Sequence, residues 1–335
     1  MRQSSRTRRS PAPTDPPPPM SIFVSVAAYC DPVLGFTLGR ARAAASRPQA
    51  LHFGVLDQSP EPPAASVLAQ LAPARLTYQR IDPLYARGPC WARALAMALY
   101  DGEDWYLQID SHMDFEPGWD ERLVAQAGAL LPGRRGVVIS AYPSAFFFAQ
   151  GRPMPRPATG KVLAHVVKPG SAFAPDHPVL GFEAHAVECD HPLPGFHLGA
   201  GCLFAPGRFA LAFPYDPALY FHGEEQALAI RLYTHGWDIV HMPGLPLYHL
   251  YNDGASGVPA RPLHWDAAHE AGRSQSWWEL EQRSRRRLTA LLAGQPLGVY
   301  GLGRERTLAD YARWCGIDYA ARRLEPQAFQ PLPPL

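Results

Sequence analysis

The amino-acid sequence predicts an α/β fold in which a mostly parallel central sheet is flanked by helices. The first observation is that apolar runs alternate with segments of helical spacing over residues 22–141, as in folds whose parallel strands are joined by helices. The second is the length of 335 residues, which suffices for one large α/β domain or two small ones and should bury roughly three quarters of the unfolded surface. The third is a clean strand at residues 21–26, which marks where folding begins.

The elements follow from this alternation in chain order. We expect strands near 22–27, 50–55, 76–81, 105–110 and 136–141, and helices around 33–45, 63–71, 89–100 and 119–131. Residues 142–198 interrupt the pattern with many Pro, Gly and His, and predict long loops with one small extra hairpin. Regular structure returns with an apolar run at 198–204, a helix over 223–233 and a short strand at 238–241.

Three segments follow from composition and periodicity. Residues 1–20 are rich in Arg, Ser and Pro, a composition that cannot bury a core and predicts a disordered tail. Met20 could be the true start of the protein, and the alternative interpretation of the tail is an Arg-rich transit peptide. Residues 21–255 are expected to form the main domain. Residues 256–335 are expected to form a C-terminal extension that is helical from about 275.

Composition limits the classes of partner. The chain has 31 Lys and Arg against 30 Asp and Glu, so we expect no basic face for nucleic acid. No run of about 18 apolar residues and no apolar signal core occur, so we expect neither membrane insertion nor secretion. The five cysteines are odd in number and scattered, which favours a reducing cytoplasm.

The stretch from Gln108 to Phe115 suggests a metal site. Side chains of an extended segment alternate in direction, so Asp110 and His112 should point to one side at the carboxyl edge of the sheet, where ligands bind in open α/β folds. His249, at the end of a short apolar strand, is a third candidate ligand. A mixed carboxylate and imidazole set suits Mn²⁺ better than Mg²⁺. The alternative is that the two histidines merely cap strand ends.

Two further groups of residues have candidate roles. Glu224 and Glu225 follow Gly223 at the start of a helix, where acidic residues also simply stabilise the helix dipole. If this turn faces the metal, Glu224 could accept hydrogen bonds from substrate hydroxyls, and Glu225 could orient an acceptor or stabilise positive charge. Arg93, one turn after Pro89, could grip a phosphate through its planar fork, or it could be an ordinary solvated arginine.

These residues together resemble the glycosyltransferase family that includes the cytoplasmic UDP-GlcNAc:hydroxyproline polypeptide transferases. The similarity runs over about residues 21–255, through Ile22–Ala27 with Tyr29, Asp31 and Pro32, Gly88–Pro89, Ala92–Arg93, Gln108–Met113, Trp119–Asp120, Pro214–Pro217 and Phe221–Glu225. The same order of motifs is similar to the more distant transferases that begin mucin-type O-glycosylation. One departure is Cys30, where the family usually has a basic residue.

The resemblance implies a GT-A-like fold and a retaining transfer of a sugar, most simply GlcNAc, from a UDP-sugar to a hydroxyl of a protein or glycan acceptor. It implies that Asp110, His112 and His249 hold Mn²⁺, with Mg²⁺ as the alternative. Its expected donor-binding residues are Ala27, Tyr29, Arg93, Asp110, Gly199 and Gly201, and its expected catalytic residues are Glu224 and Glu225. The glycines would approach the donor sugar with their backbone, or else form a turn before a buried strand. A sugar-nucleotide hydrolase and a non-catalytic binder of UDP-sugars or glycans are the rival functions.

Overall fold

The structure is a computed structural model that describes residues 20–252 and 254–334. Residues 1–19 of the predicted disordered tail therefore lie outside the described residues. None of the helices within the described ranges is both long enough and apolar enough to cross a bilayer.

The elements observed are as follows. The strands are β1 (Ile22–Tyr29), β2 (Leu51–Gln58), β3 (Arg75–Arg80), β4 (Trp105–Asp110), β5 (Met113–Phe115), β6 (Val137–Ser140), β7 (Ser144–Ala149), β8 (Arg152–Pro155), β9 (Lys161–Val167), β10 (Phe182–Glu188), β11 (Leu193–Gly195), β12 (Cys202–Pro206), β13 (Asp238–His241), β14 (Leu247–His249), β15 (Ile317–Asp318) and β16 (Arg323–Leu324). The helices are α1 (Leu34–Ala44), α2 (Ala65–Ala69), α3 (Pro89–Met97), α4 (Trp119–Leu130), α5 (Phe209–Ala212), α6 (Glu224–Thr234), α7 (Ala267–Glu270), α8 (Trp277–Leu292) and α9 (Leu308–Cys315).

The central sheet has eight strands in the order β3-β2-β1-β4-β12-β6-β13-β11. The pairs β1–β2, β2–β3, β1–β4 and β6–β13 are parallel, as the alternation predicts. β12 runs antiparallel between β4 and β6, and β11 is antiparallel at the edge. The predicted fold class, a mostly parallel sheet flanked by helices, is confirmed, and β12 is an antiparallel insertion that the alternation does not reveal.

Helices cover both faces of this sheet. Val24 and Val26 of β1 pack on one face with Leu38 of α1 and Leu123 of α4. Phe23 points to the other face, where α3, α6 and α8 supply the packing partners. This burial on both faces explains why the sheet strands are nearly continuous apolar runs rather than alternating ones.

Residues 142–198 hold more regular structure than the predicted long loops with one hairpin. They form β7 and β8, which join β5 and β14 in a four-stranded sheet of order β5-β14-β7-β8, and β9 and β10, which form a separate hairpin. The sequence hides these strands because Pro153, Pro155 and several Gly lie in or between them, and because β10 is largely exposed and carries little apolar signal.

The C-terminal residues pack directly on the sheet domain. Leu288 and Leu291 of α8 are buried with Leu228 of α6, and Tyr311 of α9 is buried with Ile230. These helices thus complete the apolar layer on one face of the sheet. The carboxyl ends of β1 and β4, joined there by β14, form the edge at which the candidate site lies.

Candidate metal and donor site

Three side chains at the carboxyl edge of the sheet converge as the sequence predicts. Asp110 ends β4, His112 lies in the turn between β4 and β5, and His249 ends β14. The Nε2 atom of His249 lies 3.3 Å from Asp110 Oδ2, and His112 Nε2 lies 3.9 Å from the same oxygen. One ligand atom from each residue lies within 4.8 Å of the other two, which suits a shared metal ion.

The orientation of the His112 ring is fixed by Asp31. His112 Nδ1 donates to Asp31 Oδ2 over 2.7 Å, which turns its Nε2 atom toward Asp110. Asp31 is itself held, because its Oδ2 accepts from Ser111 Oγ over 2.6 Å and its Oδ1 from the Val33 amide over 2.8 Å. A carboxylate behind a histidine ligand is the arrangement that fixes tautomer and ring orientation in metal sites.

The charge states of the predicted ligands also suit a cation. Burial raises the pKa of Asp110, but the hydrogen bond from His249 and the charge of Arg93 outweigh it and hold that pKa below its usual range. Burial lowers the pKa of His249, so the imidazole is neutral at pH 7. An ionised carboxylate and a neutral imidazole are the protonation states that metal binding requires.

Arg93 is a buried bridge between two carboxylates. Its Nη2 atom donates to Asp110 Oδ1 over 2.8 Å, and its Nη1 atom donates to Glu224 Oε1. Glu224 Oε2 accepts from the Cys90 thiol over 2.6 Å. Burial raises the pKa of Glu224, and the Arg93 guanidinium opposes that shift. Both oxygens of Glu224 are thus occupied within the protein, and its predicted contact with sugar hydroxyls stays a prediction.

Glu225 lies on the other side of the first turn of α6, where it secures the backbone before β12. Its Oε1 accepts from the Ala200 amide over 2.7 Å, and its Oε2 accepts from the Tyr142 hydroxyl over 2.6 Å. Burial raises the pKa of Glu225, but contacts with His197, Tyr142 and the Ala200 amide lower it overall. The predicted role of Glu225 toward an acceptor is not tested by these contacts.

The two predicted donor-binding glycines are required by close packing. A Cβ atom on Gly201 would lie 2.3 Å from Asp110 Oδ2, and one on Gly199 would lie 2.5 Å from the Ala141 carbonyl oxygen. Gly201 also accepts the backbone hydrogen bond of Asp110 over 3.0 Å. Gly201 therefore leaves room for the Asp110 carboxylate, and its predicted approach to a sugar stays a prediction.

A cavity of about 310 Å³ opens beside the candidate metal ligands. Asp110, His112 and His249 lie in its wall, together with the predicted donor-binding residues Ala27, Tyr29 and Arg93. Glu224, Glu225, Gly199 and Gly201 do not line it, but Glu224 and Gly201 contact the wall residues Arg93 and Asp110. The structure therefore brings the metal candidates and most of the predicted donor residues to one pocket.

Sequence reasoning missed the wall that residues 261–265 contribute to this cavity. Arg261, His264 and Trp265 line it, although they come from the segment after the predicted domain boundary. The segment also grips the end of β1, because Tyr29 hydrogen-bonds His269 Nδ1 over 3.0 Å and Arg273 donates to the Tyr29 hydroxyl. No periodic pattern precedes these residues, so only the tertiary structure reveals their position.

The sequence model of the family described as Glycosyltransferase (GlcNAc) matches residues 57–299, more than half of the chain. The chain belongs to this GlcNAc glycosyltransferase family. The matched range includes all three candidate metal ligands and continues through residues 261–265 into α8. No curated protein matches the chain closely enough to count as a relative.

Among the solved structures similar to this GlcNAc glycosyltransferase family member, that of GalNAc-T7 supports its fold. A structure of GalNAc-T7 with UDP, GalNAc and Mn²⁺ is 15% identical with a TM-score of 0.53, and the match covers 71% of this chain and 45% of the other. The chain therefore spans less than half the length of the GalNAc-T7 chain. A structure of S. aureus TarS 1-349 with UDP-GlcNAc is 14% identical over 93% of this chain and 82% of the other, with a TM-score of 0.42.

Proposed function

We propose that this chain transfers GlcNAc from UDP-GlcNAc to an acceptor hydroxyl, with retention at the anomeric carbon and with Mn²⁺ as cofactor. Mg²⁺ is the alternative ion. The observation that carries the proposal is the convergence of Asp110, His112 and His249 beside the cavity, in a member of a GlcNAc glycosyltransferase family. The GalNAc-T7 structure, which has the same fold and contains UDP, GalNAc and Mn²⁺, supports the donor class and the metal.

The three candidate ligand side chains support a metal ion because their ligand atoms suit Mn²⁺. One carboxylate and two imidazoles match a borderline ion such as Mn²⁺ better than Mg²⁺, which prefers an all-oxygen shell. Bound there, the ion would neutralise negative charge that develops on the departing diphosphate.

Residues of the chain would supply the remaining stabilisation of the leaving group. Arg93 holds a fixed orientation because Glu224 and Asp110 bind two of its nitrogens. A guanidinium preorganised in this way needs no reorganisation as charge develops on a nearby phosphate. Arg261, buried in the same wall, adds a second positive charge. Tyr29, on the far side of the cavity at the end of β1, would contact the nucleotide.

The carboxylates of the cavity support transfer with retention. Among the described residues that line it, the carboxylates are Asp31 and Asp110, and both are engaged with His112, His249 or Arg93. In the proposed step the bond from the anomeric carbon to the diphosphate oxygen breaks and a bond to the acceptor oxygen forms on the same face. The acceptor proton passes to the departing phosphate oxygen, so no separate protein base is required.

Finer parts of the proposal concern the acceptor and the compartment. The acceptor classes are a hydroxyproline-containing protein, another polypeptide and a glycan. We also propose, from the number and scatter of the cysteines, that the protein acts in a reducing cytoplasm. The rivals are a hydrolase of sugar nucleotides and a non-catalytic binder of UDP-sugars or glycans.

The deciding experiment incubates the full chain with UDP-GlcNAc and Mn²⁺, and measures release of UDP and free GlcNAc with and without acceptors. Slow release of GlcNAc in water that gives way to faster UDP release with an acceptor supports transfer. Fast hydrolysis that no acceptor accelerates supports the hydrolase, and binding without turnover supports the non-catalytic protein. Omission of Mn²⁺ should stop turnover, and activity in the presence of EDTA would contradict the metal dependence.

A further inference from the structure

A continuous set of side chains runs from the mouth of the cavity along one side of α8. We call it the aromatic track, and it comprises Phe221, His222, Trp265, Trp278, Glu281 and Arg285. None of these residues is needed for the proposed metal and diphosphate chemistry, so the track calls for another explanation.

The inner end of the track joins the cavity wall. Phe221 and Trp265 both line the cavity, and their ring centroids lie 5.0 Å apart. Phe221 is 37% exposed, and the neighbouring His222 side chain is 54% exposed with its ring centroid 5.0 Å from that of Phe221. An aromatic surface open to solvent therefore borders the pocket in which the proposed donor sugar would lie.

The outer part of the track continues through polar side chains to another exposed ring. His222 Nδ1 lies 3.3 Å from Glu281 Oε1, and Arg285 Nε donates to the same oxygen over 3.2 Å. The Arg285 guanidinium carbon lies 5.3 Å from the ring centroid of Trp278, which is 48% exposed. Aromatic rings and planar polar groups thus follow one another from the cavity to the middle of α8.

One polar atom of the track still lacks a partner. Glu281 is 1% exposed, and its Oε2 atom has no hydrogen-bond donor anywhere in the part of the chain that the structure describes. A buried carboxylate oxygen without a donor is costly, because its lost hydration is not replaced. The other oxygen of Glu281, Oε1, holds His222 and Arg285 in place.

We propose that the aromatic track binds the acceptor, and that the acceptor is a glycan. The proposal rests on the proposed transferase function and names the acceptor class of that same site. The C–H groups on a pyranose face pack against aromatic rings, whose faces carry partial negative charge. The hydroxyls at the pyranose edge exchange hydrogen bonds with imidazole and guanidinium groups, and His222 and Arg285 supply these beside the rings. A glycan bound on the track would present its terminal hydroxyl at the mouth of the cavity.

A polypeptide acceptor fits this surface less well. Extended peptides commonly add to an open strand edge, and helical peptides lie in an apolar groove. The track residues lie on α8 and in the loops around residues 221 and 265, and none of them belongs to a strand. Its polar groups also interrupt the apolar surface that a helical peptide would need.

The test compares the full-length chain with Trp278→Ala and with the control Leu211→Ala. Leu211 is 76% exposed on α5. This helix follows β12, whose last residue pairs with the first residue of β4, so it lies at the end of the sheet away from the cavity. Each protein is incubated with Mn²⁺ and an azide-tagged UDP-GlcNAc on an array of diverse glycans and on an array of peptides that contain Ser, Thr and hydroxyproline. The same arrays are probed with dye-labelled protein and UDP to measure binding without turnover.

We expect labelling and retention on glycans by the wild type and by Leu211→Ala. Trp278→Ala should raise the KM for the glycan about two- to tenfold, the loss expected for one aromatic contact. The KM for UDP-GlcNAc should keep its value, because Trp278 does not line the cavity. A merely structural role for Trp278 would instead change both constants together.

Three results would overturn the proposal: labelling of peptides alone, no glycan labelled or retained by the wild type, or an unchanged glycan KM in Trp278→Ala. Failure of the transferase function itself is recognised separately. In that case no acceptor accelerates the release of UDP, and retention of labelled protein on glycans still decides whether the aromatic track binds them.

Discussion

His249 Nε2 lies 3.3 Å from Asp110 Oδ2, although the two residues end strands in different sheets. The contact arises because β14 pairs with β5, the strand that directly follows the turn after β4. Two distant parts of the chain thus bring a carboxylate and an imidazole to one point. An ion bound there would depend on both.

Replacement of Asp110 tests this dependence most directly. We expect Asp110→Ala to lower kcat with Mn²⁺ by about a thousandfold, on the order of 4 kcal/mol of transition-state stabilisation, because the ion loses its anionic ligand. Steady-state UDP release measures the effect, and circular dichroism checks the fold. Asp101→Ala is the matched control, since Asp101 is an exposed residue paired with Arg75. An Asp110→Ala enzyme with wild-type turnover would show that the metal assignment is wrong.

Asp31 should act through His112 rather than on the ion. Asp31→Asn keeps the size of the side chain but removes the charge that orients and polarises the His112 ring. We expect Mn²⁺ affinity, measured by calorimetry, to fall about 10- to 100-fold, as for other partners of histidine ligands. Turnover should recover when Mn²⁺ is raised to saturation. Loss that persists at saturating Mn²⁺ would point instead to a direct role of Asp31 in the reaction.

Arg93 and Glu224 form a buried ion pair, so they should be strongly coupled in stability. We expect Glu224→Gln to lower the free energy of unfolding by about 3 kcal/mol, because the Arg93 charge then keeps only Asp110 as a partner. Urea denaturation measures this value. The double variant Arg93→Met, Glu224→Gln should lose less stability than the sum of the two single variants, by on the order of 1–3 kcal/mol. Strictly additive losses would contradict the coupling.

Gly201 should be intolerant of a methyl group for a local reason. In Gly201→Ala the added Cβ meets the Asp110 carboxylate at 2.3 Å, so we expect that carboxylate to move and Mn²⁺ affinity to fall at least about tenfold. Gly128→Ala is the matched control, because nothing lies within 4 Å of the added Cβ in α4. The control should leave metal binding intact and stabilise the fold by about 0.5–1 kcal/mol. Equal Mn²⁺ affinity in both variants would rule out the clash as the reason for Gly201.

The division of the chain at residue 255 is also testable. Removal of residues 256–335 would expose Leu228 and Ile230 of α6, whose packing partners include Leu288, Leu291 and Tyr311. It would also remove one wall of the cavity. We therefore expect the shortened protein to lack a cooperative thermal transition in calorimetry. A shortened chain that melts sharply and binds UDP would support an independent domain over residues 21–255.

The sequence predicts the parallel strands and the metal candidates because both depend on local pattern. Apolar runs are long enough to identify β1, β2 and β4, and their shared direction places the ends of β1 and β4 at one edge. Asp110 and His112 lie close in sequence, so their convergence needs only the strand end and the following turn. His249 needed one further assumption, that β14 returns to that edge.

The remaining parts of the site depend on contacts that leave no local signal. Arg93 meets Glu224 only after α3 and α6 pack on the same face of the sheet, so the sequence could not tell a solvated arginine from a buried bridge. Arg261 and Trp265 lie in a segment without periodicity. This segment is held in the cavity wall because His264 contacts Tyr29 and Tyr220. The local sequence therefore does not indicate that Arg261 and Trp265 belong to the site.

The bridging position of Arg93 has a consequence for the order of binding. The cations of the cavity wall are already paired: Arg93 contacts Asp110 and Glu224, and Arg261 lies 4.0 Å from Asp31. Paired cations attract a diphosphate only weakly, and a divalent cation would add the missing positive charge. Loading should thus be sequential, with the cation first and the nucleotide second, and UDP alone should bind weakly in a metal-free titration.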